Sequence, residues 1–260
     1  MRSLVLFGMI FSISLRRSMA HRTNLVFEGL VSVTSVVAGL LVLAVIFSET
    51  ETLAGWSRGD VVVLLGTYHI VSGILWTCIE PNVAWFRNQV TEGKLDDILL
   101  KPVSSLFLTS LGSCAPWSLF QVVVGMAVVV VGCSLITPAP HVSNGLCWLL
   151  LMAVAVVLTW SSRVLLACLA LWAPGFQPEV LYQAAWQFGR YPVAIYPAAI
   201  RGVLTWVIPI AFITSLPAQA LTRGVSHVWI VGSLTAAGCS VVMVCQIWAA
   251  GLRRYTSATS

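Results

Sequence analysis

Leu25 to Ser48 reads LVFEGLVSVTSVVAGLLVLAVIFS, an apolar run broken by a single charge, Glu28. A helix needs about 20 such residues to cross the roughly 30 Å hydrocarbon layer, where no water satisfies backbone N–H and C=O groups. The run therefore reads as a membrane span. Comparable runs recur near Val61 to Trp85, Ser113 to Leu135, Leu146 to Trp172, Ala199 to Leu216 and Val228 to Ala250. The 260-residue chain is 58% hydrophobic and only 9% charged, with a mean hydropathy of +0.93, which excludes ordinary soluble composition. The expected fold class is an all-α integral membrane protein of about six transmembrane helices. The loops between them are short, so 1–260 reads as a single transmembrane domain.

Orientation follows from the basic residues, because cytoplasmic loops retain Lys and Arg. With the N-terminus inside, the inner set is Arg2, Arg16, Arg17, Arg22, Arg87, Lys94, Lys101, Arg163, Arg190, Arg201, Arg253 and Arg254, leaving Arg58 and Arg223 outside. Both termini are expected to be cytoplasmic. The net charge of +5 is thus a topology signal and does not point to nucleic acid as a partner. Trp56, Trp85, Trp172 and Trp229 fall near span ends, as an aromatic belt requires.

The segment 1–22 has the outline of a signal peptide, but Arg16, Arg17 and Arg22 follow its apolar run. Leu4, Phe7, Phe11 and Leu15 recur at helical spacing, so an amphipathic helix lying along the membrane surface is the expectation. Membrane lipid is its partner. Cys78, Cys114, Cys133, Cys147, Cys168, Cys239 and Cys245 lie in or beside spans with no CxxC pair, and read as small apolar packing residues.

A charge at membrane depth costs roughly 2.5–3.5 kcal/mol on insertion scales. His69 and Glu80, both in the second span, therefore need a reason to be there. One reading makes them polar residues of a translocation path. The other pairs Glu80 with a neighbouring basic group and hydrogen-bonds neutral His69 to another helix. Glu28 is expected to pair with a nearby arginine. Ser32, Ser35 and Gly39, and then Gly232, Ala236 and Ser240, form stripes of small residues suited to close helix packing. Pro192, Pro197, Pro209 and Pro217 predict kinks or broken helices around the fifth span.

Motifs for chemistry are missing. There is no GxxxxGK[ST], no HExxH, no GxSxG and no dinucleotide fingerprint, and His21, His69, His141 and His227 are scattered. No catalytic, cofactor or metal site is expected in this chain. Asp96 and Asp97 do not make a metal site, because adjacent helical side chains diverge by about 100° and no third ligand is near.

The one long patterned charged interval is TEGKLDDILLKPVSSLF, Thr91 to Phe107, inside the loop 86–105 between the second and third spans. Leu95, Ile98 and Leu99 stand at i, i+3 and i+4, giving a short helix one apolar edge, with Gly93 and Pro102 at its ends. Spacing alone leaves two destinations for that edge, a protein partner or the lipid surface.

The string EGKLDDILLKPVSSLF resembles the inner-loop signature of the permease subunits of type-2 ABC exporters, G-x-L-D-x-x-L-L-K/R-P. It matches as Gly93, Lys94, Leu95, Asp96, Leu99, Leu100, Lys101 and Pro102. Two further patches are similar to the same family, AGWSRGDVVVLLGTYHIVSGIL (Ala54 to Leu75) and RYPVAIYPAAIRGVLTWVIPIAFITSLPA (Arg190 to Ala218). The resemblance implies a permease domain in the cell membrane, most simply a bacterial inner membrane. It would pair with a second permease, identical or homologous, and with two copies of an ABC ATP-binding subunit that hold ATP and Mg. Gly93 to Pro102, including Asp97 and Ile98, would be the ATPase-docking loop, and transport would run outward. The rival reading is a stand-alone polytopic enzyme, receptor or secondary transporter, although no internal repeat supports the last.

Overall fold

The computed structural model describes residues 2–20, 22–173, 175 and 178–254. It contains α1 (Arg2–Ala20), α2 (Arg22–Glu49), α3 (Arg58–Ile74), α4 (Glu80–Thr91), α5 (Asp96–Leu99) and α6 (Ser105–Leu111). There follow α7 (Leu119–Ser134), α8 (Val142–Cys168), α9 (Pro178–Gln187), α10 (Ala198–Trp206), α11 (Leu216–Thr222) and α12 (His227–Arg254). No β-strand occurs among the described residues. Five helices are long and apolar enough to cross a membrane, Val26–Glu49, Arg58–Thr91, Pro116–Ser134, Val142–Leu171 and His227–Arg254. Most of their outward side chains are Val, Leu and other apolar residues, as a lipid solvent demands.

The centre of the bundle is α3, buried along nearly its whole length. Its start is fixed by a capping box: Asp60 N–H donates to Ser57 Oγ (3.3 Å) and Ser57 N–H to Asp60 Oδ2 (2.8 Å). Arg223 donates to the same carboxylate and lies over Trp56, 5.4 Å from the ring centre. Glycine spacing brings α7 against α3. Gly59, Gly66 and Gly73 recur every seven residues on one face, opposite Gly132, Gly125 and Ser118. A Cβ at Gly66 would lie 2.7 Å from Gly125 O, and one at Gly125 would lie 2.8 Å from Gly66 O. The two backbones touch, which is how helices gain attraction where lipid supplies no hydrophobic drive.

A π-helical turn, Leu75–Ile79, joins α3 to α4, with Pro81 immediately beyond. Proline has no N–H for the carbonyl four residues earlier, which is Thr77 O. Ala115 N–H takes that place at 2.7 Å. Asn82 completes the clamp, its Nδ2 donating to Cys78 O (2.7 Å) and Ser113 O (2.8 Å) and its Oδ1 accepting from Ser113 N–H (2.7 Å). The break in the second span is therefore held against the segment that enters α7.

The fifth span differs from expectation. Ala198–Trp206 and Ala211–Thr222 are bent by 75° at Val207 to Ile210, beside Pro209. At one end of the pair Asn144 Nδ2 donates to Leu221 O (3.3 Å) and Arg223 meets Asp60. Arg201, near the start of α10, shares a cavity wall with Trp56, Gln219 and Trp229. Both ends thus lie at the Arg58 end of α3, and Ala198–Trp206 with Ala211–Thr222 turns back on itself like a re-entrant hairpin. The segment 178–197 leads from the Thr91 end of the bundle toward the hairpin. Glu179 pairs with Arg87 toward the Thr91 end, Arg190 lies over Tyr68 midway along α3, and Val193 N–H donates to Ser215 Oγ (3.3 Å). The hairpin is nearly as apolar as a span, so hydropathy alone cannot separate the two. Arg201 accordingly moves to the Arg58 end, and Arg163 and Arg190 lie within the bundle.

On α12 the fully buried stripe is Ser233, Ala237, Val244, Trp248 and Gly251, and the expected Ala236 is partly buried and packs against the core beside it. Gly232 faces outward with open space around it, while Ser240 does pack inward and donates to Ser161 Oγ (3.0 Å). The cysteines Cys78, Cys114, Cys133, Cys147, Cys168, Cys239 and Cys245 are free.

Candidate functional site: a polar cavity and an exposed loop

Glu80 begins α4 immediately after the π turn, and Arg163 of α8 pairs with it there. The pair is bidentate, Nε to Oε2 at 2.9 Å and Nη2 to Oε1 at 2.5 Å, with the arginine 99% buried. The guanidinium also lies 4.7 Å from the ring centre of Tyr182, whose hydroxyl bonds Ser162 Oγ (3.0 Å). Arg163 Nη1 has no hydrogen-bond partner among the described residues.

Glu80, Arg163 and Tyr182 wall a cavity of about 140 Å³ together with Tyr68, Trp76, Gln121, Trp186 and Arg190. Trp186 is held by its indole N–H, which donates to Ser72 Oγ (2.9 Å). A larger cavity of about 520 Å³ shares Trp76, Glu80 and Gln121 with the first and continues past Ser32 and Ser35 to Glu28. Glu80 thus lines both spaces. His69 lines neither; it is fully buried behind them, with Nδ1 3.2 Å from Gln121 Nε2 and Nε2 without a partner among the described residues. Glu28 forms no ion pair with a described side chain, and the neighbouring Arg17 and Arg22 side chains lie outside the described residues.

The loop has a different inside and outside from the one its periodicity predicts. Leu95 is 0% exposed and Ile98 only 2%, both joined to the main core. Two of the three residues of the expected apolar edge therefore face this chain's own interior. Leu99 is partly exposed, Leu100 is 84% exposed, and Val103 follows at the surface. Gly93 takes a left-handed conformation, φ 67°, which only glycine adopts cheaply and which turns the chain out of α4. Lys94 pairs with Glu92 (2.7 Å), and Asp96, Leu100, Lys101 and Pro102 complete the projection, while the Asp97 side chain lies outside the described residues. The signal for the outer face was the run Leu99-Leu100, because two neighbouring leucines on a one-turn helix cannot both point inward.

Sequence reasoning missed Arg163, Arg190, Tyr182 and Trp186 as cavity residues. The arginines were read as loop charges, although each lies in or beside an aromatic-rich segment. The family model described as ABC-2 family transporter protein matches residues 33–259. Neither the curated proteins nor the solved structures contain a match to the chain.

Proposed function

Because the chain belongs to the ABC-2 family of transporter proteins, we propose that it is the permease of an ATP-driven exporter. In this reading 1–260 is one transmembrane domain in the cell membrane, most simply a bacterial inner membrane, and ATP and Mg are held by separate subunits. The observation that carries the reading is the outward Leu99-Leu100 edge, set on a turn whose inner side, Leu95 and Ile98, is locked into the core. Such an element is rigid where it joins the bundle and apolar where it leaves it.

Gly93 to Pro102 is the docking loop, with Leu99 and Leu100 entering the ATP-binding subunit and Lys94, Asp96 and Lys101 at the rim. Arg87, Lys94, Lys101, Arg253 and Arg254 gather at the Thr91 end of the bundle, which supports a cytoplasmic position for that end and for both termini. The segment 1–22, mostly α1, lies on the same membrane surface. Two ATP-binding subunits and a second permease, identical or homologous, complete the assembly. Closure of the ATP-binding pair pushes on the loop, and the bundle answers as a two-state element whose equilibrium that push biases.

The translocation path runs along the face that carries the two joined cavities. Glu80 stands in its wall, and His69 supports the wall from behind through Gln121. The test is purification of the tagged chain in mild detergent, with MgATP hydrolysis and total mass measured on the product. A complex that hydrolyses ATP and contains two ATP-binding subunits supports the reading; a chain that is pure, folded and inactive across detergents contradicts it.

A further inference from the structure

The smaller cavity carries one positive charge that no described residue balances. Arg163 is neutralised by Glu80, but Arg190 has no ion pair among the described residues and its Nε is buried without a partner. Its one described contact is with the face of Tyr68, 5.5 Å from the ring centre. Arg163 also keeps Nη1 unpartnered in the same wall while being itself 99% buried. A guanidinium held at membrane depth without a counter-charge is costly, so such residues mark sites where a ligand supplies the missing charge. The two arginines also offer donors suited to oxygen anions.

The remaining walls specify the rest of the ligand. Gln121, Gln183 and Gln187 add neutral hydrogen-bonding groups, and Trp76 is 40% exposed at the outer surface of the bundle. The space therefore adjoins, at Trp76, the larger cavity with its apolar Val31, Pro81, Ala84 and Trp117, and is itself walled by amide and aromatic side chains. We propose that this cavity binds the oxyanion headgroup of an amphiphile, with Arg190 as its counter-charge and Gln121 and Gln187 as hydrogen-bond donors. The apolar part of the ligand lies along Trp76 toward the membrane. This rests on the permease reading, in which the site faces the translocation path.

The test uses the full-length chain, with its ATP-binding partner, in neutral detergent. Thermal unfolding is followed on titration with phosphatidylglycerol, phosphatidylcholine or inorganic phosphate. Phosphatidylglycerol is expected to raise the midpoint by several degrees more than phosphatidylcholine. Arg190→Gln is expected to weaken that response at least fivefold, while Arg190→Lys and the exposed control Arg58→Gln retain it. Equal stabilisation by the two lipids overturns the proposal, and so does an undiminished response in Arg190→Gln. Stabilisation by inorganic phosphate equal to that by phosphatidylglycerol overturns the amphiphile and leaves a site for a soluble oxyanion. If Arg190→Gln does not fold, the lipid comparison on the parent chain decides alone. ATP hydrolysis on the same preparation is a separate readout: its absence counts against the permease reading and leaves the binding result standing.

Discussion

Arg87 of α4 is ion-paired with Glu179 at the start of α9, both side chains largely buried. The stem of the proposed docking loop is thereby tied to the segment that carries Tyr182, Trp186 and Arg190 into the cavity. A push on the loop has a direct mechanical route to the polar wall. Reversing one charge, Arg87→Glu, is expected to cost about 3 kcal/mol and to lower transport more than ATP hydrolysis. The double exchange Arg87→Glu with Glu179→Arg should recover most of both. A double variant no better than the single would show that the pair does not couple the two segments.

The buried pair of Glu80 and Arg163 makes a second prediction. Glu80→Gln leaves a desolvated guanidinium without its counter-charge, a change that typically costs about 3–5 kcal/mol. The thermal midpoint in detergent should fall clearly, and Arg163→Gln added to Glu80→Gln should return part of the loss by removing the stranded charge. Equal midpoints for Glu80→Gln and the parent would contradict the pairing.

At the seam between α3 and α7 there is no room for a methyl group. Gly66→Ala and Gly125→Ala should each destabilise by at least the roughly 1–3 kcal/mol of an overpacked core, because the obstructing atoms are backbone. Gly145→Ala and Gly238→Ala, where open space surrounds the added carbon, should leave the midpoint within a degree or so. Size-exclusion profiles and thermal melts separate the two classes.

The hairpin assignment is testable by labelling. Single cysteines replacing Arg201 and Arg223 on a cysteine-free background should react with an impermeant maleimide from the same side of sealed vesicles. A cysteine replacing Lys101 should react only from the other side. Labelling of the Arg201 and Arg223 positions from opposite sides would restore a crossing at Ala199 to Leu216.

Much of the architecture was legible in apolar runs, because lipid punishes any other arrangement of 20 such residues. Five of the six expected spans coincide with long helices, their ends displaced by a few residues. The hairpin was not legible, since Ala199 to Leu216 is apolar whether it crosses or turns back at Pro209. Periodicity identified an apolar edge on the loop at Leu95, Ile98 and Leu99, but an apolar edge does not say what covers it. Here the chain's own core takes Leu95 and Ile98. The seam of Gly59, Gly66 and Gly73 was readable as a seven-residue repeat, yet its partner glycines lie two helices' length of sequence away. Arg190 and Arg163 were misassigned because a positive residue near a span end looks like a loop charge until its neighbours in space are known.

The central claim is that Leu99 and Leu100 are the contact through which ATP hydrolysis elsewhere drives this bundle. The direct measurement is ATP hydrolysis and co-purification of the ATP-binding subunit for Leu99→Asp with Leu100→Asp, alongside the thermal midpoint of the permease itself. The account predicts an unchanged midpoint, because both side chains face outward, with the ATP-binding subunit and its activity lost by at least tenfold. Full assembly and hydrolysis in a well-folded double variant would contradict it.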